Sequence, residues 1–179
     1  PDFWKEDRER FPQGLGFLVK KAAEKGMSFG LWFGPDSSDD AANWAKDADC
    51  LLDYHRRLGV NCFKMDSMKL SSPLALARNR KMFDRMLVES DGAMVFDLDC
   101  TAETRPGFFG LMDIGPLFLE NRNTKYSDYW PHHTLKNLWD LSHVVDPVRL
   151  RAEFNNPDTN RGNYEWSPCG CECYWHQDA

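Results

Sequence analysis

Hydrophobic positions along the chain follow two alternating rhythms. Leu15, Leu18, Val19 and Ala22 fall at helical spacing, and Gly26 follows as a stop signal. Residues 27–33 (MSFGLWF) then form a short apolar run ending in Gly34-Pro35, the pattern of a buried strand. The pair repeats. Trp44, Ala48, Leu51, Leu52 and His55 trace a second helix closed by Gly59, and residues 60–65 (VNCFKM) trace a second strand ending at Asp66. Ser72-Pro73 supplies an N-cap and first turn for a third helix carrying Leu76, Phe83, Met86 and Leu87. Residues 93–98 (AMVFDL) read as a third strand, and residues 117–120 (LFLE), after Gly115-Pro116, as a fourth. Pro131 opens a helix with Leu135, Leu138 and Trp139, and past about residue 155 the rhythm stops.

Helices alternating with short, continuously apolar strands imply an α/β protein with a parallel sheet and outer helices. The crossovers should be right-handed. The strands fit either a barrel or a doubly wound sheet. Composition narrows the class: 42% of the 179 residues are hydrophobic, enough to bury a core in one domain. A net charge of −6 with no long basic run excludes a cationic nucleic-acid face and gives no reason to expect binding to an anionic membrane. No apolar stretch approaches the roughly 20 residues that cross a bilayer, and no basic-then-apolar leader opens the chain. Pro1 without a preceding Met suggests numbering that starts inside a longer polypeptide, so the N-terminus is compatible with a cytoplasmic or a secreted protein. Cys50, Cys62 and Cys100 sit singly in apolar segments and read as free thiols. Cys169, Cys171 and Cys173 with His176 are spaced more tightly than usual zinc ligands, and read as an irregular tail rather than a metal site. No cofactor is called for.

In parallel α/β folds, chemistry gathers beyond the C-terminal ends of strands. Those ends carry Trp32 and Asp36, then Lys64 and Asp66, then Asp97, Asp99 and Cys100 followed by Arg105, then Glu120, Asn121 and Arg122. Charges on buried strands are costly unless paired or used. Single members have plainer readings: Lys64 as an ion-pair partner of Asp66, one of Asp97 and Asp99 as structural, Arg122 as a surface residue. Asp66 and Glu120 together suit glycosidic bond cleavage, in which one carboxylate attacks and a second carboxyl protonates the leaving oxygen. Lys64, two residues before Asp66 on the same strand face, would keep it ionised. Trp32 would offer a platform for a sugar ring, and Arg105 and Asn121 would bond hydroxyls.

The run RFPQGLGFLVKKAAEKGMSFGLWF, followed by FKMD, resembles glycoside hydrolase family 36, the melibiose/raffinose-type α-galactosidases. The resemblance extends over roughly residues 8–155. It implies a (β/α)8 TIM barrel, here partial, with the four strands as its third to sixth. It implies a carbohydrate substrate and a retaining mechanism with Asp66 as nucleophile. Glu120 takes the place of the family's acid/base Asp, Asn121 that of the Asn beside it, and Cys100 that of a Cys after the fifth strand. Gly34 stands where the family has Glu, Met65 where it has Trp, and TAETRPG where it has a Ser-Gly-Gly-Gly-Arg loop. These differences bear on which α-linked sugar is accepted.

A complete barrel takes about 250 residues. Residues 1–155 are therefore expected to be a partial catalytic domain, and residues 156–179 a Cys-rich tail unlike the family. An open part-barrel leaves unpaired edges, so the piece alone is expected to be inactive and aggregation-prone. Two other readings stay open at this point. One is a non-catalytic sugar-binding remnant. The other is a magnesium-dependent, enolase-like barrel enzyme with Asp66, Asp97 or Asp99, and Glu120 as ligands and Lys64 as base. The identity of the sugar is open, and a homo-oligomer is compatible with the sequence.

Overall fold

A computed structural model describes residues 4–100, 106–119 and 131–152, the side chains of 131–135 excepted. The protein is α/β and divides into two compact units. Of the described residues, the first unit holds 4–98 and 106–115, and the second holds 99, 100, 116–119 and 131–152.

The first unit runs α1 (Gly16–Glu24), β1 (Gly30–Phe33), α2 (Trp44–Leu58), β2 (Cys62–Met65), α3 (Pro73–Glu89) and β3 (Val95–Asp99). Local chemistry explains the boundaries. α2 ends at Gly59, whose φ of 74° is left-handed and disfavours a side chain. α3 begins where the Ser72 hydroxyl accepts the Ala75 N–H at 3.0 Å and Pro73 pre-sets the first turn. The strands are shorter at their N-terminal ends than the apolar runs suggest: Met27, Val60 and Ala93 lie outside them.

β1 pairs with β2 and β2 with β3, all parallel. Leu31, Trp32 and Phe33 stand opposite Phe63, Lys64 and Met65, which stand opposite Phe96, Asp97 and Leu98. Side chains alternate across a strand, so these rows sort onto two faces. One face carries Leu31, Phe33, Phe63, Met65, Phe96 and Leu98, all buried except half-buried Leu31. α2 and α3 pack together and cover it. Phe83 of α3 meets Phe96 edge-on at 5.0 Å, and Phe96 stacks on Phe63 at 6.3 Å. Each such buried side chain is worth roughly 1.5–3 kcal/mol. The other face carries Trp32, Cys62, Lys64, Val95 and Asp97, which are half-buried or exposed; Val95 is 54% exposed. α2 and α3 pack against each other, so both lie on one side of the sheet, and neither covers the other face. A close approach fixes one glycine: a Cβ on Gly115 would lie 2.0 Å from the Phe96 carbonyl oxygen, so only glycine lets that backbone pass β3.

The second unit contains β4 (Leu117–Leu119), α4 (Pro131–Ser142) and β5 (Leu150–Ala152). β4 and β5 are parallel, with Phe118 opposite Arg151, and α4 lies between them in sequence. The sequence reading expects four strands, and β5 is an additional one. Its three residues, with exposed Arg151 at the centre, form no apolar run for periodicity to find. The tail at 156–179, with Cys169, Cys171, Cys173 and His176, lies outside the described residues. Among those described, no helix is long and apolar enough to cross a membrane.

Candidate functional site

Asp66 follows β2 directly. Its N–H donates to the Phe33 carbonyl at 2.8 Å, which carries the β1–β2 ladder one step past the strand. Two residues beyond Lys64, its half-buried side chain belongs to the uncovered face. There its Oδ2 accepts the Trp32 indole N–H at 2.9 Å, and its Oδ1 accepts the Ser67 N–H at 2.5 Å.

Ser67 sits at φ 56°, a left-handed conformation that a non-glycine residue rarely adopts. The loop after β1 holds it there. The Ser37 hydroxyl donates to the Ser67 carbonyl at 2.9 Å and accepts the Lys69 N–H at 3.2 Å. Ser37 thus fastens the turn carrying Asp66 to the neighbouring strand's loop.

Trp32, Lys64 and Asp97 occupy one register row across three strands, with Asp66 one pleat further on. The fold therefore brings four of the expected residues onto one polar face. Asp97 and Asp99, two apart on β3, share a face rather than alternating; Asp97 is half-buried and Asp99 buried.

Asp36 lies in the same loop as Ser37, but its carboxylate is engaged locally. Oδ1 accepts the Ser38 N–H at 2.9 Å and the Ser38 hydroxyl at 2.6 Å, and Oδ2 accepts the Asn43 amide at 2.7 Å. These bonds, the Ser38 hydroxyl first, hold its pKa down at about 2. The Asp36 N–H in turn donates to Oδ2 of Asp47 at 2.9 Å. Asp47, on the first turn of α2, is only 5% exposed, and burial pushes its carboxyl up to about 6, with the neighbouring Asp36 charge adding to the rise. The adjoining Asp39, Asp40 and Ala41 all have positive φ. Arg78 donates to the Asp39 carbonyl at 2.7 Å and the Asp40 carbonyl at 3.2 Å, and the Ser72 hydroxyl donates to the Asp40 carboxylate at 2.8 Å. Strain of this kind persists only where surrounding contacts over-determine the backbone.

Cys100 belongs to the second unit and is buried there, its N–H donating to the Phe118 carbonyl at 3.0 Å. Cys50 and Cys62 are free thiols and half-buried, and burial pushes the Cys50 thiol up to about 11. Arg105, Glu120, Asn121 and Arg122 lie outside the described residues. Among those described, no group of three His, Cys, Asp or Glu side chains is placed to hold a metal ion.

A cleft of about 570 Å³ opens beside β1, lined largely by apolar groups such as Phe11, Leu15, Phe29 and Leu31. Trp32 borders it and Asp66 does not. Its deepest acid, Glu6, is paired with Arg57 at 2.7 Å, so the cleft's chemistry is that of packing.

Sequence reasoning missed Ser37, Ser67 and Asp47. Asp47 was the findable one: it falls one residue before Ala48 on the apolar face of α2, a carboxylate among buried positions. Nothing local marks Ser37 or Ser67, whose partners come from another strand's loop.

The arrangement defines an α/β protein built of parallel β–α units, with a fixed carboxylate and its polar neighbours gathered at the C-terminal strand ends, on the sheet face that α2 and α3 leave open. No family model matches the chain, and no solved structure matches it. A stretch of 50 residues, 27% of this chain, is 38% identical to alpha-galactosidase 1 of Pediococcus pentosaceus, and it spans 7% of that relative's length. That likeness supports at most a distant link to glycoside hydrolases.

Proposed function

We propose that this chain carries part of the catalytic (β/α)8 barrel of a retaining exo-glycoside hydrolase acting on α-linked sugars, α-galactosidase-like in kind. The observation that carries the reading is Asp66: a carboxylate at the C-terminal end of a parallel strand, on the uncovered face, oriented by the Trp32 indole at 2.9 Å. The sequential order of β1, β2 and β3 with both crossover helices on one face favours a barrel, since a doubly wound sheet carries helices on both. The distant likeness to an α-galactosidase points to the same chemistry.

In this reading Asp66 attacks the anomeric carbon and forms a glycosyl-enzyme. Glu120, immediately after β4, protonates the departing oxygen and then activates the water that releases the sugar. Trp32 lines the sugar, Lys64 and Asp97 meet its hydroxyls, and Arg105, Asn121 and Cys100 are the further substrate contacts expected from the sequence. Asp36, with its carboxylate already bonded to Ser38 and Asn43, serves by shaping the rim.

The test is hydrolysis of a panel of aryl α-glycosides, the α-galactoside first, by the complete enzyme that carries this barrel. Asp66→Ala should lower kcat by about 10⁴-fold or more. Azide should restore part of the rate and be captured as a glycosyl azide of inverted configuration. Undiminished turnover when Asp66→Ala is made in the complete enzyme that carries this barrel, or no hydrolysis of any panel member by that complete enzyme, would sink the proposal.

A further inference from the structure

We infer that Trp32 is a positioning residue for Asp66, holding its carboxylate through the indole N–H while its ring stays open to the substrate. The inference rests on the hydrolase reading of Asp66 and assigns Trp32 a task beyond that of an apolar platform.

Geometry sets up the contact. Trp32 stands directly opposite Lys64, and Asp66 lies two residues beyond Lys64 on the same face. The indole therefore reaches diagonally across one pleat to the next row, a span that suits a large aromatic side chain. An indole nitrogen donates and cannot accept, so its single bond has one direction. That bond goes to Oδ2 of Asp66 at 2.9 Å. The Ser67 N–H takes Oδ1, so both oxygens are held and the plane of the carboxylate is set from two sides. Trp32 remains 54% exposed, with Trp4 tilted against it at 6.4 Å between centroids. A tryptophan serving only as a platform would leave its N–H to water. Here the N–H goes to the group proposed to attack. Rigid orientation of a nucleophile matters because a small misplacement costs rate rather than binding.

Trp32→Phe separates the two tasks, since it keeps an aromatic face and deletes the donor. A hydrogen bond to a charged group corresponds to about a tenfold to hundredfold effect. In the complete enzyme that carries this barrel, the expected result is a kcat lowered by that factor on an aryl α-galactoside with KM little changed. A raised KM with unchanged kcat would reduce Trp32 to a platform and overturn the inference.

A second measurement needs no turnover. The chain has seven Trp. In a ¹⁵N-labelled sample, the indole N–H resonance lost in Trp32→Phe is that of Trp32. It should shift through an acid titration and stop shifting in Asp66→Asn. Lys64 and Asp97 share the face, and Asp36 sits in the loop beyond it, so the shift should survive in Lys64→Met, Asp97→Asn and Asp36→Asn. A Trp32 resonance indifferent to Asp66→Asn overturns the inference. If that resonance follows Asp66 while the complete enzyme cleaves no glycoside, the contact stands and the hydrolase reading falls. If hydrolysis requires Asp66 while Trp32→Phe keeps its full kcat, the reverse holds.

Discussion

Phe33, Met65 and Leu98 lie one residue along from Trp32, Lys64 and Asp97, and the two rows occupy opposite environments. The first row is sealed under α2 and α3. The second stands on a face that neither helix covers. The backbone ladder is the same for both, so the difference comes from side-chain alternation and from the helices' position on one side. The comparison separates the strands' two duties: one face supplies the burial that holds the unit together, and the other is free to carry charge because it need not be dry. A carboxylate such as Asp66 can remain on a strand end only on the second face, where water and an indole N–H share its solvation.

Four substitutions sharpen or break that comparison. The largest effect falls on the covered face. Phe83→Ala removes a fully buried ring from against Phe96 and should cost about 3–5 kcal/mol in urea unfolding.

Next comes the one carboxylate on the buried side of α2. The Asp47 carboxyl rises from 3.8 to about 6 on folding, so the folded protein holds the proton more tightly than the unfolded chain. Below about pH 4 both states are protonated and the group costs nothing. Between about 4 and 6 stability falls as pH rises, and above 6 the cost is constant, on the order of 3 kcal/mol. Asp47→Asn keeps an oxygen to accept the Asp36 N–H. It should unfold at higher denaturant than the parent at pH 7 and at the same denaturant near pH 3. A parent-like midpoint at pH 7 would mean that Asp47 is better solvated than its 5% exposure implies.

Ser72→Ala deletes the cap that starts α3 and should cost about 1 kcal/mol by the same unfolding measurement. The smallest effect belongs to the uncovered face. Val95→Thr, at 54% exposure, should change stability by less than about 0.5 kcal/mol. A loss there comparable to that of Phe83→Ala would show that something covers this face, and the contrast between the two faces would fail.

The rhythm of apolar residues determined the order of helices and strands through β4, and local chemistry placed the Ser72 cap and the Gly59 stop. These depend on residues a few positions apart, so they can be read along the chain. The same holds for the placement of Asp66 at a strand end. β5 escaped because three residues centred on Arg151 carry no period. The tertiary structure alone decided the rest. Trp32 and Asp66 are 34 residues apart, and their bond follows from the β1–β2 register, a long-range choice that one residue of slip would undo. Asp36 and Asp66 are both acids just past strand ends and look alike in the sequence. Folding turns the first inward onto Ser38 and Asn43 and leaves the second on the open face, because the partners that separate their roles come from the loop geometry and the neighbouring strand rather than from flanking residues.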